Sequence, residues 1–154
     1  MSEPLVLHGY WRSGTSYRTR IALEIKGVAY AQAPIDLRTG AQQSEGYRAL
    51  NPQGLVPALE TPDGVLTQSS AIIEWLEERY PQPPLLPHRP GERAVVRAMA
   101  MTVACDIHPL NNLRALKYLK STLGQPQEAI DVWARQWISE GFSAATMWRC
   151  WRRT

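Results

Sequence analysis

The segment Pro81-Gln82-Pro83-Pro84-Leu85-Leu86-Pro87 divides the chain. Proline fixes φ and has no N–H to donate, so neither a helix interior nor a central strand runs through such a stretch. It reads as an inter-domain linker, with residues 1–83 before it and 84–154 beyond it. On the N-terminal side, short apolar runs alternate with helical patterns. On the other side only helical patterns occur.

In the first part, Leu5-Val6-Leu7 up to Gly9 is a short apolar run of strand length. Ser13 to Ser16 supply N-cap residue types, and Gly27 after Lys26 is a natural helix stop. In between, Tyr17, Ile21 and Ile25, with Ala22, recur at the spacing of one helix face, which predicts that this face is buried. Val28 to Ile35 reads as a second strand, with Pro34 at an edge or end. Asp36 to Asn51 is polar and reads as loop plus a short helix. Pro62-Asp63-Gly64 joins two short strands, 57–60 and 65–67, into a hairpin, because Pro presets φ and Gly supplies a positive one. Ser69-Ser70 then opens a helix that buries Ile72, Ile73, Leu76 and Tyr80. The order β-α-β, connection, β-β-α predicts an α/β thioredoxin-like domain with a mixed sheet and helices on its faces. Past the linker, Glu92 to Lys120 reads as helix broken at Pro109. Gln127 to Ser143 reads as a second amphipathic helix with Ile130, Trp133, Trp137 and Ile138 near one face.

A formal net charge of +3, partly carried by Arg149, Arg152 and Arg153, is a poor argument for nucleic acid. No apolar run reaches the roughly 18 residues that a membrane span needs, and the start lacks a secretory pattern. Cys105 and Cys150 lie far apart, so neither a disulfide framework nor a metal site is expected. The expectation is a reduced, cytoplasmic protein that acts on small molecules.

Three constellations carry chemistry. Arg12-Ser13-Gly14-Thr15-Ser16-Tyr17-Arg18 lies where the first strand passes into the first helix. Helix-start N–H groups and the dipole favour an anion there, so a thiol presented by a ligand would ionise more easily, with Ser13 donating to it. Asn51-Pro52-Gln53-Gly54-Leu55-Val56-Pro57 ends in an X-Pro bond, where a cis peptide would leave the Val56 backbone facing outward to pair with an extended peptide. Gln68-Ser69-Ser70 precedes the next helix and suits a carboxylate. Helix capping alone accounts for the hydroxyls of the first and third, and an ordinary trans proline for the second. Their convergence on one sheet edge favours a ligand site.

The run from Tyr10 to Leu23, with Asn51 to Leu59, Gln68 to Leu76 and Asp106 to Arg114, resembles the zeta class of glutathione transferases over about residues 5–144. The resemblance implies glutathione as cofactor and an all-α C-terminal domain of the transferase type. Ser13 would activate the glutathione sulfur. Gln43, Val56, Gln68 and Ser69 would hold the tripeptide, Val56 through its backbone. Gly14, Thr15, Ser16, Tyr17, Arg18 and Pro57 would belong to the same site, and His108, Asn112, Leu113 and Arg114 would approach it from the helical domain. The class motif is often Ser-Ser-Cys; here Ser13-Gly14-Thr15 stands in its place, so any helper role of the cysteine falls to Thr15.

The implied reaction is cis–trans isomerisation of maleylacetoacetate to fumarylacetoacetate, in tyrosine and phenylalanine catabolism, by thiolate addition and elimination. Transfer of glutathione to other electrophiles, such as α-halo acids, is an alternative; an inactive module of the same fold is another. The resemblance also implies a homodimer. A family member would continue through further helices that complete the core, and the residues from about 145 do not resemble them. The expectation is therefore an incomplete helical domain with an atypical tail.

Overall fold

The chain is described from a computed structural model covering residues 5–147. The expected tail from about 145 falls at or beyond this limit, and Cys150 lies outside the described residues. Two units divide at 85/86.

The first unit is built on four strands: β1 (Leu5–Gly9), β2 (Tyr30–Pro34), β3 (Ala58–Thr61) and β4 (Gly64–Thr67). Their order is β2-β1-β3-β4, with β2 parallel to β1 and β3 antiparallel to both β1 and β4. The right-hand members of the pattern are therefore a hairpin, and the left-hand pair is linked by α1 (Gly14–Lys26). A 3₁₀ turn, Ala41–Gln43, and α2 (Glu45–Leu50) fill the connection to β3, and α3 (Ser69–Arg79) closes the unit. This is the thioredoxin-like order expected from the sequence. Leu5, Leu7, Ala22, Leu23, Leu59, Ile72 and Leu76 form its core, with Ile73 and Tyr80 packed partly buried against it.

The buried face of α1 is not the one its apolar spacing predicted. Tyr17, Ile21 and Ile25 are exposed, and Ser16, Thr19, Ala22, Leu23 and Lys26 are buried. The helix can turn this half-polar stripe inward because each polar group on it is satisfied. Thr19 donates back to Thr15 O at 3.1 Å, and Ser16 Oγ accepts from Tyr10 N at 3.3 Å. Lys26 Nζ donates to Glu77 at 2.5 Å and to Pro83 O at 2.8 Å. Glu77 in turn accepts from Leu85 N at 2.9 Å. Gly27, at φ 63, ends the helix in the left-handed conformation, with its N–H returned to Glu24 O.

The second unit is helical. α4 (Pro90–Met101) starts with proline in its first turn and runs into a π-helical stretch, Thr102–Ile107. A 3₁₀ turn at Pro109–Asn111 then leads to α5 (Leu113–Ser121), and α6 (Gln127–Met147) follows. Gly141 lets α6 approach closely, since a Cβ there would collide with Ile107. Ile130 is buried, Trp133 and Trp137 meet edge to face, and Trp133 Nε1 donates to Leu110 O at 2.8 Å. Ile138, expected near this face, is exposed, one position out of phase with it.

Lys26→Met would strand the Glu77 carboxylate in a buried place, which costs on the order of 3–5 kcal/mol. The double change Lys26→Met/Glu77→Leu should recover most of that loss. Denaturant melts of the three proteins would check both outcomes.

Candidate functional site

Ser13 is the N-cap of α1: its backbone is extended and its Oγ accepts from Ser16 N at 3.3 Å. An N-cap must leave the helical conformation while its side chain reaches forward, and serine is suited to both. The capping reading of Ser13 is thus correct, and it does not use up the hydroxyl. Ser13 Oγ lies 2.8 Å from Thr15 Oγ1, and Thr15 donates to Val56 O at 2.9 Å. The α1 start and the loop before β3, 41 residues apart, are joined by this contact.

The Val56–Pro57 bond is cis rather than the ordinary trans proline, and the Val56 carbonyl before it accepts from Thr15. The loop leading to it is held from within. Asn51, buried at 2% exposure, accepts from Gln53 N through Oδ1 and from Gly54 N through its carbonyl. Its Nδ2 donates to Leu55 O at 2.7 Å, beside Tyr47 Oη, which donates to the same carbonyl at 2.6 Å. Burial raises the Tyr47 phenol above its ordinary value, outweighing the lowering contact with Asn51, so the group stays a donor. Gly54 sits at φ 60, where a Cβ would come within 2.6 Å of Gln43 Nε2. Gln43 itself is exposed and donates to Gly54 O at 3.2 Å.

Gln68 has φ 67, a positive value that a non-glycine residue rarely adopts. It precedes α3, and its amide nitrogen donates to Gln53 Oε1 at 2.8 Å, so the third constellation is tied to the second. Ser69, the first residue of α3, is 6% exposed. Strain at a helix start that also bonds to a neighbouring loop is a feature of sites rather than of ordinary caps.

Of the residues singled out in the first unit, Ser13, Thr15, Val56 and Pro57 come together directly, Gln43 and Gln68 bond to the same loop, and Ser69 follows Gln68 at the start of α3. Gly14 opens α1 with nothing within 4 Å of a Cβ placed on it. Ser16 is turned inward at 1% exposure, so its hydroxyl serves the Tyr10 backbone, not the surface. Tyr17 is exposed under the Arg20 guanidinium, and Arg18 is half-buried. In the second unit, Asn112 caps α5, accepting from Arg114 N at 3.1 Å, while Leu113 and Arg114 are exposed and His108 is half-buried. Gln53, Asn51 and Tyr47 are the residues that sequence reasoning missed. Asn51 and Gln53 lie in the segment read for its X-Pro bond, and nothing in that segment showed that Asn51 is the centre of a turn. No group of three or more His, Cys, Asp or Glu that could hold a metal occurs among the described residues. Nor is any described helix long and apolar enough to cross a membrane.

In the first unit, a serine at the first helix start is thus joined through Thr15 to a cis-proline loop. The chain belongs to the glutathione S-transferase family, residues 7–84 matching that family's N-terminal domain. It is 54% identical to a maleylpyruvate isomerase of Ralstonia sp over 138 residues, 90% of this chain and 65% of that protein. The chain thus spans about two thirds of the length of this relative. Its fold is similar to the holo structure of maleyl pyruvate isomerase, a bacterial zeta-class glutathione S-transferase, with TM-score 0.88 and 53% identity over 90% of this chain and 66% of that one. A maleylacetoacetate isomerase from Methylobacterium extorquens AM1, solved with bound malonate and GSH, has TM-score 0.87 and 43% identity, covering 90% of this chain and 65% of that one. These similarities place the chain in the zeta class.

Gly54→Ala should destabilise the fold by about 1–3 kcal/mol through strained φ and the clash at Gln43, whereas Gly14→Ala should be neutral or stabilising by a few tenths; thermal melts would show the difference. Tyr47 gives a second test. Its raised value means that stability is intact below the ordinary phenol range and falls as pH rises through the raised one. Tyr47→Phe should flatten that alkaline loss at a cost of about 1 kcal/mol at neutral pH, read from melts across pH.

Proposed function

We propose that this chain binds glutathione and catalyses cis–trans isomerisation of maleylacetoacetate to fumarylacetoacetate. The observation that carries the reading is the Ser13 hydroxyl, set at a helix start and linked through Thr15 to the backbone of Val56 before a cis proline. The residues fit a γ-glutamyl tripeptide: a donor at an electropositive helix start for sulfur, the Val56 backbone before a cis proline for the peptide, and Gln68-Ser69 at the start of α3 for a carboxylate. Bound glutathione supplies a thiolate that adds reversibly to the conjugated double bond, so one hard isomerisation becomes two easier steps without net consumption of the thiol.

In this reading Ser13 donates a hydrogen bond to the sulfur and favours its ionised form, aided by the α1 dipole. Val56 pairs with the peptide through its backbone, and Gln43 steadies the loop. Gly14, Ser16, Tyr17 and Arg18 set the shape of the α1 start, Ser16 through its backbone N–H on Ser13. Ligand roles for His108, Asn112, Leu113 and Arg114 are part of the proposal, as are a homodimer and a cytoplasmic location.

The maleylpyruvate isomerase of Ralstonia sp, at 54% identity, favours a second substrate, maleylpyruvate, which shares the cis double bond and carboxylate. Steady-state rates on maleylacetone, maleylpyruvate and dichloroacetate, each with and without glutathione, separate the readings. The expected result is glutathione-dependent conversion of a maleyl compound, reduced by about 10²-fold or more in Ser13→Ala. Dichloroacetate turnover without maleyl turnover would make the chain a general transferase.

A further inference from the structure

The hydroxyl protons in the site can be counted. Thr15 has one, and it goes to Val56 O, because a carbonyl can only accept. In the 2.8 Å contact between Ser13 and Thr15 the donor must therefore be Ser13. The Ser13 oxygen also accepts from Ser16 N. So in this arrangement the proton that Ser13 would need for a thiolate is committed to Thr15.

When Ser13 turns that proton to a sulfur anion, two hydroxyl oxygens are left facing each other at 2.8 Å with nothing between them. Only Thr15 can supply the missing proton, and it has just one, so it must release Val56 O. We propose that Thr15 is a positioning residue with two proton settings: onto the Val56 carbonyl in the free protein, and onto Ser13 Oγ when Ser13 donates to a thiolate. The inference rests on the glutathione-binding reading above.

Two consequences follow from the reversal. Ser13 then accepts from both Thr15 and Ser16 N while donating to sulfur, and hydrogen bonds in such a chain polarise one another, so Ser13 becomes a stronger donor. The Val56 carbonyl is released at the same moment and accepts from the peptide instead. Peptide pairing at the loop and thiolate stabilisation at the helix start are thereby coupled through one hydroxyl. A cysteine at this position, with its weak S–H donor, would couple them less strongly.

The test compares wild type, Thr15→Ser and Thr15→Val by two readouts. The first is the pKa of the bound glutathione thiol, followed by thiolate ultraviolet absorbance against pH. The second is the affinity for S-methylglutathione, which has no thiol to ionise, by calorimetry. Thr15→Val should raise the bound thiol pKa by about 0.5–1 unit, the equivalent of one weakened hydrogen bond, while S-methylglutathione affinity changes by less than about threefold. Thr15→Ser, which keeps the proton, should match wild type in both. An unchanged thiol pKa in Thr15→Val overturns the relay, as does an equal loss of S-methylglutathione binding, which would make Thr15 only structural. Should Thr15→Val not fold, a Thr15→Ser protein with a raised thiol pKa overturns it alone. Wild type that binds no S-methylglutathione overturns the glutathione reading itself, and the relay with it.

Discussion

The ion pair between Lys26 and Glu77 is the constraint on which the first unit turns. Both groups are buried, Lys26 entirely at its side chain, and neither could be left there alone. Their bond fixes the end of α1 against α3, and the further bonds to Pro83 O and Leu85 N carry the same clamp into the start of the linker. Because α1 is anchored at its far end, its start is held in a set place above the sheet, and the N-cap Ser13 with it. The placement of the Ser13 hydroxyl thus depends on charges a whole helix away.

That pair also explains where the sequence was legible and where it misled. Strand and helix order could be read from alternation, Gly27, the Pro62-Asp63-Gly64 turn and the prolines after Tyr80, since each of these acts through local backbone geometry. The face of α1 could not. Apolar spacing pointed to Tyr17, Ile21 and Ile25, yet the helix buries Ser16, Thr19 and Lys26 with Ala22 and Leu23. Periodicity counts apolar residues and has no way to know that a lysine will find a carboxylate 51 positions later. Ile138 on α6 failed for a simpler reason: it lies beside the packed stripe rather than on it.

At the site, the local signals were sound and the connections were not visible. A serine before a helix, a proline before a strand and a Gln-Ser pair before another helix each announced themselves. Nothing in the sequence said that Thr15 reaches the carbonyl of Val56, that Gln68 reaches Gln53, or that Asn51 organises the loop. These are long-range or side-chain-to-backbone bonds whose partners are set only once the sheet has formed. Thr15, which stands where the class often has cysteine, is in the fold the residue that links the start of α1 to the loop before β3.

The second unit has a different character. Neither α4 nor α5 buries a residue fully, and among its described residues only Leu86, Ile107 and Ile130 are buried apolar side chains. Free energies of local opening follow the apolar surface that an element hides. The two parts of the chain therefore differ in what opening them would expose: parting the sheet uncovers a packed apolar core, while lifting α4 or α5 uncovers no fully buried side chain of its own.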